Sequence, residues 1–165
     1  MLELAAMSDP VPRFGLVPPD TIKTMAGVDF LRAMMRGELP LPPICDVLGF
    51  HPVVMDVGLA VFEGTPRAAF YNPLGTVHGG YAATLLDSAM GCAVHSTLKP
   101  GIGYTTLEFK INFVRPMSDT TGPVRAEARI VHAGTTIGTS EGKLLDGRSR
   151  IFAHATTTCL IFALP

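Results

Sequence analysis

The chain has 165 residues, of which 47% are apolar and 16% charged, and its formal net charge is -1. That length suits one domain, and the near-neutral balance offers no basic surface for nucleic acid. No run of about 18 apolar residues occurs, so a membrane span is not expected, and the excess apolar surface points to an oligomer interface.

The cysteines are Cys45, Cys92 and Cys159, an odd count without metal-ligand spacing. They read as free, buried thiols in a reduced, cytoplasmic setting, with no metal and no cofactor expected. Glu3 and Asp9 stand where a signal peptide needs a basic region, so none is expected.

In chain order, Met1 to Pro19 is proline-rich and reads as an arm. Asp20 or Thr21 is the expected cap of a helix running to Arg36, with Ile22, Met25, Phe30, Leu31, Met34 and Met35 on its apolar stripe. Gly37 and the prolines at 40, 42 and 43 stop it. Residues 1–43 therefore form an N-terminal arm and helix, and 44–165 the main domain. Ile44 to Phe50 reads as a short helical turn. His51 to Glu63 reads as one strand and Arg67 to Tyr71 as a second, joined at Gly64-Thr65-Pro66. Asn72-Pro73-Leu74-Gly75 is a turn signal.

His78 to His95 reads as one long helix, apolar or small on nearly every face and so expected to be buried all round. Beyond it, Leu107, Phe109, Ile111 and Phe113 alternate with Thr106, Glu108, Lys110 and Asn112. That period of two marks a strand with one buried face, and it places Thr106 on the polar face. Pro123 to His132, Thr135 to Leu145 and Arg148 to Phe162 complete an antiparallel meander, with Asp146-Gly147 as a primed hairpin turn. The expected fold class is α+β, a sheet wrapped around one helix.

Asp87 is the one ionisable group in the middle of the long helix. A carboxylate there must be paired, shifted or functional. The helix begins at Gly79-Gly80, where backbone N–H groups and the positive dipole end could receive a carbonyl oxygen. Asp87 lies on the order of 12 Å further along the axis. One carbonyl cannot touch both ends within one helix, so a shared site needs Asp87 from a second chain.

The run Asn72-Pro-Leu-Gly-Thr-Val-His-Gly-Gly, with an acid seven places after the second glycine, resembles the signature of the hotdog-fold acyl-CoA thioesterases. The closer resemblance is to the PaaI-like (phenylacetic acid degradation) branch of the 4-hydroxybenzoyl-CoA thioesterase superfamily. Gly27 to Pro43, Thr106 to Pro116 and Gly134 to Thr158 agree with it, so the resemblance covers roughly residues 27–162.

The resemblance implies a hotdog dimer with antiparallel central helices, often paired into a homotetramer, that hydrolyses an aromatic or medium-chain acyl-CoA to the free acid and coenzyme A. It implies Asp87 as general base or nucleophile and the Gly79 N–H as the group that polarises the carbonyl. His78 and Asn72 would position water and thioester, and Thr106 would place a hydroxyl near the acid. Gly80, Tyr81, Leu85 and Met90 are expected to line the substrate site. Arg148 and Arg150, near Lys143, either meet coenzyme A phosphates or form a solvated face. The alternative is a non-catalytic acyl-CoA-binding hotdog protein. No Gly-x-Ser-x-Gly elbow surrounds Ser88, which argues against a serine hydrolase.

Overall fold

The computed structural model describes residues 13–165. At its centre is α4, Gly79–His95, an uninterrupted helix of 17 residues. The strands are β1 (Phe50–Asp56), β2 (Leu59–Gly64), β3 (Ile102–Phe113), β4 (Val124–Ala133), β5 (Ile137–Asp146) and β6 (Ile151–Ala163). They form one antiparallel sheet in the order β1-β2-β4-β5-β6-β3, which leaves β1 and β3 as edges. This is the expected sheet around one helix.

The helix lies close on the sheet because the facing residues are small. Ala82, Leu85, Leu86, Ala89, Met90 and Ala93 are buried against Ala126, Ala128, Ala153 and Ala155. A Cβ on Gly142 would stand 3.1 Å from Met90 Cγ and 3.2 Å from Leu86 Cδ2. Each large side chain sealed there contributes about 1.5–3 kcal/mol. Ser140 Oγ fastens the layers by donating to the Met90 carbonyl at 2.9 Å.

Helix α4 is not buried all round. Ala83, Thr84, Asp87, Ser88, Cys92 and His95 are only half-buried, on the side away from the sheet centre. The N-terminal region also departs from the single expected helix. It forms α1 (Pro19–Thr24) and α2 (Gly27–Met35), broken at Met25 and Ala26, which are both extended. The cause is distant in sequence. Gly27 N–H donates to the Leu98 carbonyl at 2.9 Å, and a Cβ on Gly27 would run into the His95 carbonyl. The chain must straighten before Gly27 to reach that seat. Pro18 rather than Asp20 or Thr21 is the cap of α1. A third helix, α3 (Pro43–Leu48), ends on Gly49 in the left-handed region at φ 62°.

Part of the expected arm, Met1 to Pro12, lies outside the described residues. The rest is laid along the α2–α3 connection: Leu41 N–H donates to the Arg13 carbonyl and Gly15 N–H to that of Leu41.

Other expectations shift at turns. His51 to Glu63 is a hairpin, β1 and β2, reversing at Val57-Gly58, where Gly58 has φ 73°. Arg67 to Tyr71 holds a 3-10 turn, Ala68–Phe70, instead of a strand. The β5–β6 turn is not the two-residue primed type. Its positive φ falls on Ser149, and Asp146 Oδ1 holds the loop by accepting from the N–H of Arg148 and of Arg150.

In β3 the alternation breaks. Pairing with β6 runs Thr106 opposite Cys159 and Glu108 opposite Thr158, so Leu107 is bulged out. Leu107 and Phe113 are each 55% exposed, whereas Phe109 and Ile111 are half-buried. The bulge turns Thr106 inward, toward α4, and corrects its expected place on the polar face. Among the described residues no helix is long and apolar enough to cross a membrane.

Candidate active site

The start of α4 is built by the turn before it. Asn72 Oδ1 accepts from Leu74 N–H at 2.9 Å and from Thr76 N–H at 3.3 Å, and its amide donates to Thr76 Oγ1 at 3.0 Å. Asn72 therefore spends its side chain on the loop, as Asx residues do. His78 N–H donates to the Phe70 carbonyl, which fixes where the helix starts.

His78 is the N-cap. Its Nδ1 accepts from Gly80 N–H at 2.9 Å, which leaves the ring proton on Nε2. Of the two glycines, Gly80 thus has its donor occupied. Gly79 N–H has no acceptor among the described residues. A Cβ on Gly79 would stand 3.0 Å from the Phe113 ring, so glycine keeps the approach to this donor open. Gly79 borders a cleft with Phe113, Val114, Arg115 and Met117.

Asp87 lies two turns along, on the half-buried side. Thr106 Oγ1 donates to its Oδ1 at 3.1 Å. Asp87 and Thr106 both line a cavity of about 510 Å³ closed on the far side by α2 and the segment from Gly15 to Val17. The cavity wall is mostly apolar, with Phe30, Leu31, Met34, Leu41 and Met55 among its residues. Gly79 borders a different cleft, so within one chain the free donor and the carboxylate do not meet.

Tyr81, Leu85 and Met90, expected at the substrate site, are buried in the core at 3%, 0% and 0% exposure and do not line the Asp87 cavity. Helical spacing explains it. Leu85 and Met90 project from the sheet side of α4, and Tyr81 stacks on Phe70 at 4.9 Å. The Tyr81 hydroxyl is buried without a hydrogen-bond partner among the described residues, and burial pushes its pKa up to about 12. Arg150 is paired with Asp146 at 2.7 Å at the β5–β6 turn, where Arg148 is exposed. Burial works against ionising Asp146, but hydrogen bonds from Arg150 and Arg148 outweigh it and hold its pKa below the usual value. Neither arginine lines the Asp87 cavity.

That cavity is also lined by groups outside the expected site residues. Ser88, Cys92 and His95 follow Asp87 along one stripe of α4, and Tyr104 joins them from β3. Their spacing from Asp87, one, five and eight residues, is the signal that could have found them. Burial pushes the Cys92 thiol up to about 12 and the His95 imidazole down to about 4. Among the described residues no three His, Cys, Asp or Glu side chains are grouped to hold a metal ion.

A carboxylate held by one hydroxyl beside an apolar cavity can activate water or attack an acyl carbon. A free N–H at a helix start can stabilise an oxyanion. Comparison with known proteins bears on the family. A model of the Thioesterase superfamily matches residues 74–153. A provisionally named esterase of Halobacterium salinarum is 42% identical over 69 residues, 41% of this chain and 44% of that protein. The chain spans about half the length of the first curated relatives it matches.

Among solved structures, a provisionally named thioesterase from Ralstonia eutropha JMP134, described as phenylacetic acid degradation-related, is 31% identical. It covers 79% of this chain and 98% of its own, with TM-score 0.72. The smu.793 protein of Streptococcus mutans UA159, solved bound to acetyl CoA, is 26% identical, covers 70% and 90%, and has TM-score 0.63. With its helix, wrapped sheet and matched motif, this chain belongs to the thioesterase superfamily and has the hotdog fold.

Proposed function

We propose that the protein hydrolyses acyl-CoA thioesters to the free acid and coenzyme A, at a site shared by two copies of the chain. The observation that carries this reading is the pair of half-sites. Asp87 with its Thr106 hydrogen bond borders an apolar cavity, while Gly79 N–H stands free elsewhere on the same helix. The acetyl CoA bound to the Streptococcus mutans neighbour supports coenzyme A as the carrier.

The register of β3 supports the sharing. Thr106 lies against Asp87, and Phe113 against Gly79. Strand β3 is an edge of 12 residues with exposed apolar side chains, which invites pairing with another strand. A two-fold axis near Phe109 and Lys110, midway between Thr106 and Phe113, would pair two β3 strands antiparallel. It would bring Asp87 of one chain toward Gly79 of the other. Further pairing of dimers into a tetramer is part of the same proposal, to be read by light scattering.

In the proposed reaction the thioester carbonyl oxygen accepts from Gly79 N–H of one copy. Asp87 of the other takes a proton from water as the water oxygen bonds to the acyl carbon. The tetrahedral oxyanion is stabilised at the helix start, strengthened by the dipole. The C–S bond then breaks, and the proton on Asp87 passes to the departing sulfur. Thr106 keeps the carboxylate oriented throughout. Direct attack by Asp87, with an anhydride then opened by water, gives the same products.

Thiol release from phenylacetyl, benzoyl and straight-chain acyl-CoAs tests the reading. Turnover of at least one member is the expected result. Tight binding of a member with no release from any would favour the non-catalytic binding protein.

A further inference from the structure

The wall of the Asp87 cavity has two characters. The side built by α2 and β1 is apolar, with Phe30, Leu31, Met34 and Met55. The side built by α4 and β3 carries Asp87 and Thr106 and then, unaccounted for by the hydrolysis, Ser88, Cys92, His95 and Tyr104. The His95 ring is clamped, its centroid 5.4 Å from that of Phe30 and 5.3 Å from that of Tyr104. Glycine at position 91 lets Tyr104 lie along the helix, since a Cβ there would be 2.8 Å from the Tyr104 hydroxyl.

The Tyr81 hydroxyl is the one side-chain polar atom that is sealed from surface and lacks a partner among the described residues. The His95 nitrogens are not in that position and make no hydrogen bond within the described chain, so the ring is open to the cavity that it lines. Burial keeps the imidazole neutral at physiological pH, and a neutral imidazole offers one donor and one acceptor. A purely hydrocarbon occupant would leave both unmatched after expelling water. A hydroxyl or carbonyl on the occupant would match one of them.

The position sets where that group lies. His95 is eight residues beyond Asp87 on the same wall, on the order of 12 Å along the helix axis. An acyl group whose thioester carbon stands at Asp87 and which fills the cavity reaches His95 only at its distal end.

We infer that the preferred acyl group is of medium length and carries a hydroxyl or carbonyl at its far end, recognised by His95 beside Tyr104. This rests on the thioesterase reading for which end of the substrate sits at Asp87. His95 then acts as a specificity-determining residue, and α2, seated by Gly27 on the end of α4, forms the opposite wall of the acyl pocket.

The test uses a matched pair, octanoyl-CoA and 8-hydroxyoctanoyl-CoA. Binding is measured by calorimetry on the full-length Asp87→Asn protein, and hydrolysis on the wild type. The hydroxylated thioester is expected to bind about two- to tenfold more tightly, the effect of one hydrogen bond of ordinary strength. Adding His95→Phe, which keeps a ring, is expected to abolish the preference, and His95→Gln to keep part of it. Equal affinities, or a preference that survives His95→Phe in a protein with native circular dichroism, would overturn the inference. Should that variant not fold, the comparison on the Asp87→Asn protein decides alone. A binding preference without any hydrolysis would support the pocket assignment and contradict the thioesterase reading.

Discussion

Thr106 reaches Asp87, Oγ1 to Oδ1 at 3.1 Å, because Leu107 is bulged out of the β3–β6 ladder. Without the bulge, Thr106 would point away from α4 with Lys110. One irregular residue in an edge strand therefore supplies the hydrogen bond that orients the carboxylate. Bulges are known to re-aim side chains in this way.

This relationship is open to mutation. Thr106→Val keeps the branched shape and removes the hydroxyl. Turnover is expected to fall about tenfold, in keeping with the loss of a hydrogen bond to a charged group. Thr106→Ser should recover most of it. Steady-state kcat on the best acyl-CoA provides the comparison, and equal rates for all three proteins would remove Thr106 from the site.

Asp87→Asn is expected to lower kcat by about 10²- to 10⁴-fold, the range for loss of a general base. Asp87 is half-buried and keeps few neighbours satisfied, so the thermal midpoint should move little. A folded variant with wild-type turnover would take the acid out of the mechanism.

Gly27 is the contact by which α2 closes the cavity. Gly27→Ala places a Cβ against the His95 carbonyl. Overpacking of this kind costs about 1–3 kcal/mol. Urea unfolding should show that loss, and proteolysis should cut the N-terminal helices earlier than in the wild type. An unchanged midpoint would mean that α2 does not depend on this seat.

Burial lowers the His95 pKa from 6.5 to about 4 in the folded chain. The unfolded chain therefore binds more protons between those values. The stability due to a neutral His95 is fully present above pH 6.5 and is lost as pH falls toward 4. At 1.36 kcal/mol per unit the total loss is on the order of 3 kcal/mol. His95→Phe should flatten this part of the profile, measured by urea unfolding at pH 7.5, 6 and 5. An identical slope in the variant would assign the loss to other groups.

Much of the architecture was legible because it is local. The helix from Gly79 to His95 has the composition and uninterrupted length of a helix, and the β4 alternation of Val124, Ala126 and Ala128 survives in their burial. Long-range contacts were not legible. Nothing near Met25 announces that Gly27 must reach the end of α4, and the bulge at Leu107 follows from pairing with β6. Tyr81, Leu85 and Met90 stand near the motif in sequence, whereas the helical period carries them into the core. The same period, counted from Asp87, leads to Ser88, Cys92 and His95. No motif surrounds the histidine, so nothing local in the sequence marks it.

In the proposed dimer one reacting centre draws on two chains. Gly79→Pro deletes the N–H at the first helical position, where a proline backbone is well tolerated, and its Cβ crowds the approach beside the Phe113 ring, so the variant removes this half-site. His78, at φ -60° and ψ 136°, already has a backbone suited to precede proline. Each of Gly79→Pro and Asp87→Asn alone is expected to be nearly inactive. Co-expressed with different tags and purified through both, they form hybrids in which one site carries both defects and the other carries neither. Thiol release by that hybrid should return to roughly half the wild-type rate per dimer, since two-fold symmetry gives two sites. A hybrid as inactive as its parents would contradict the shared site.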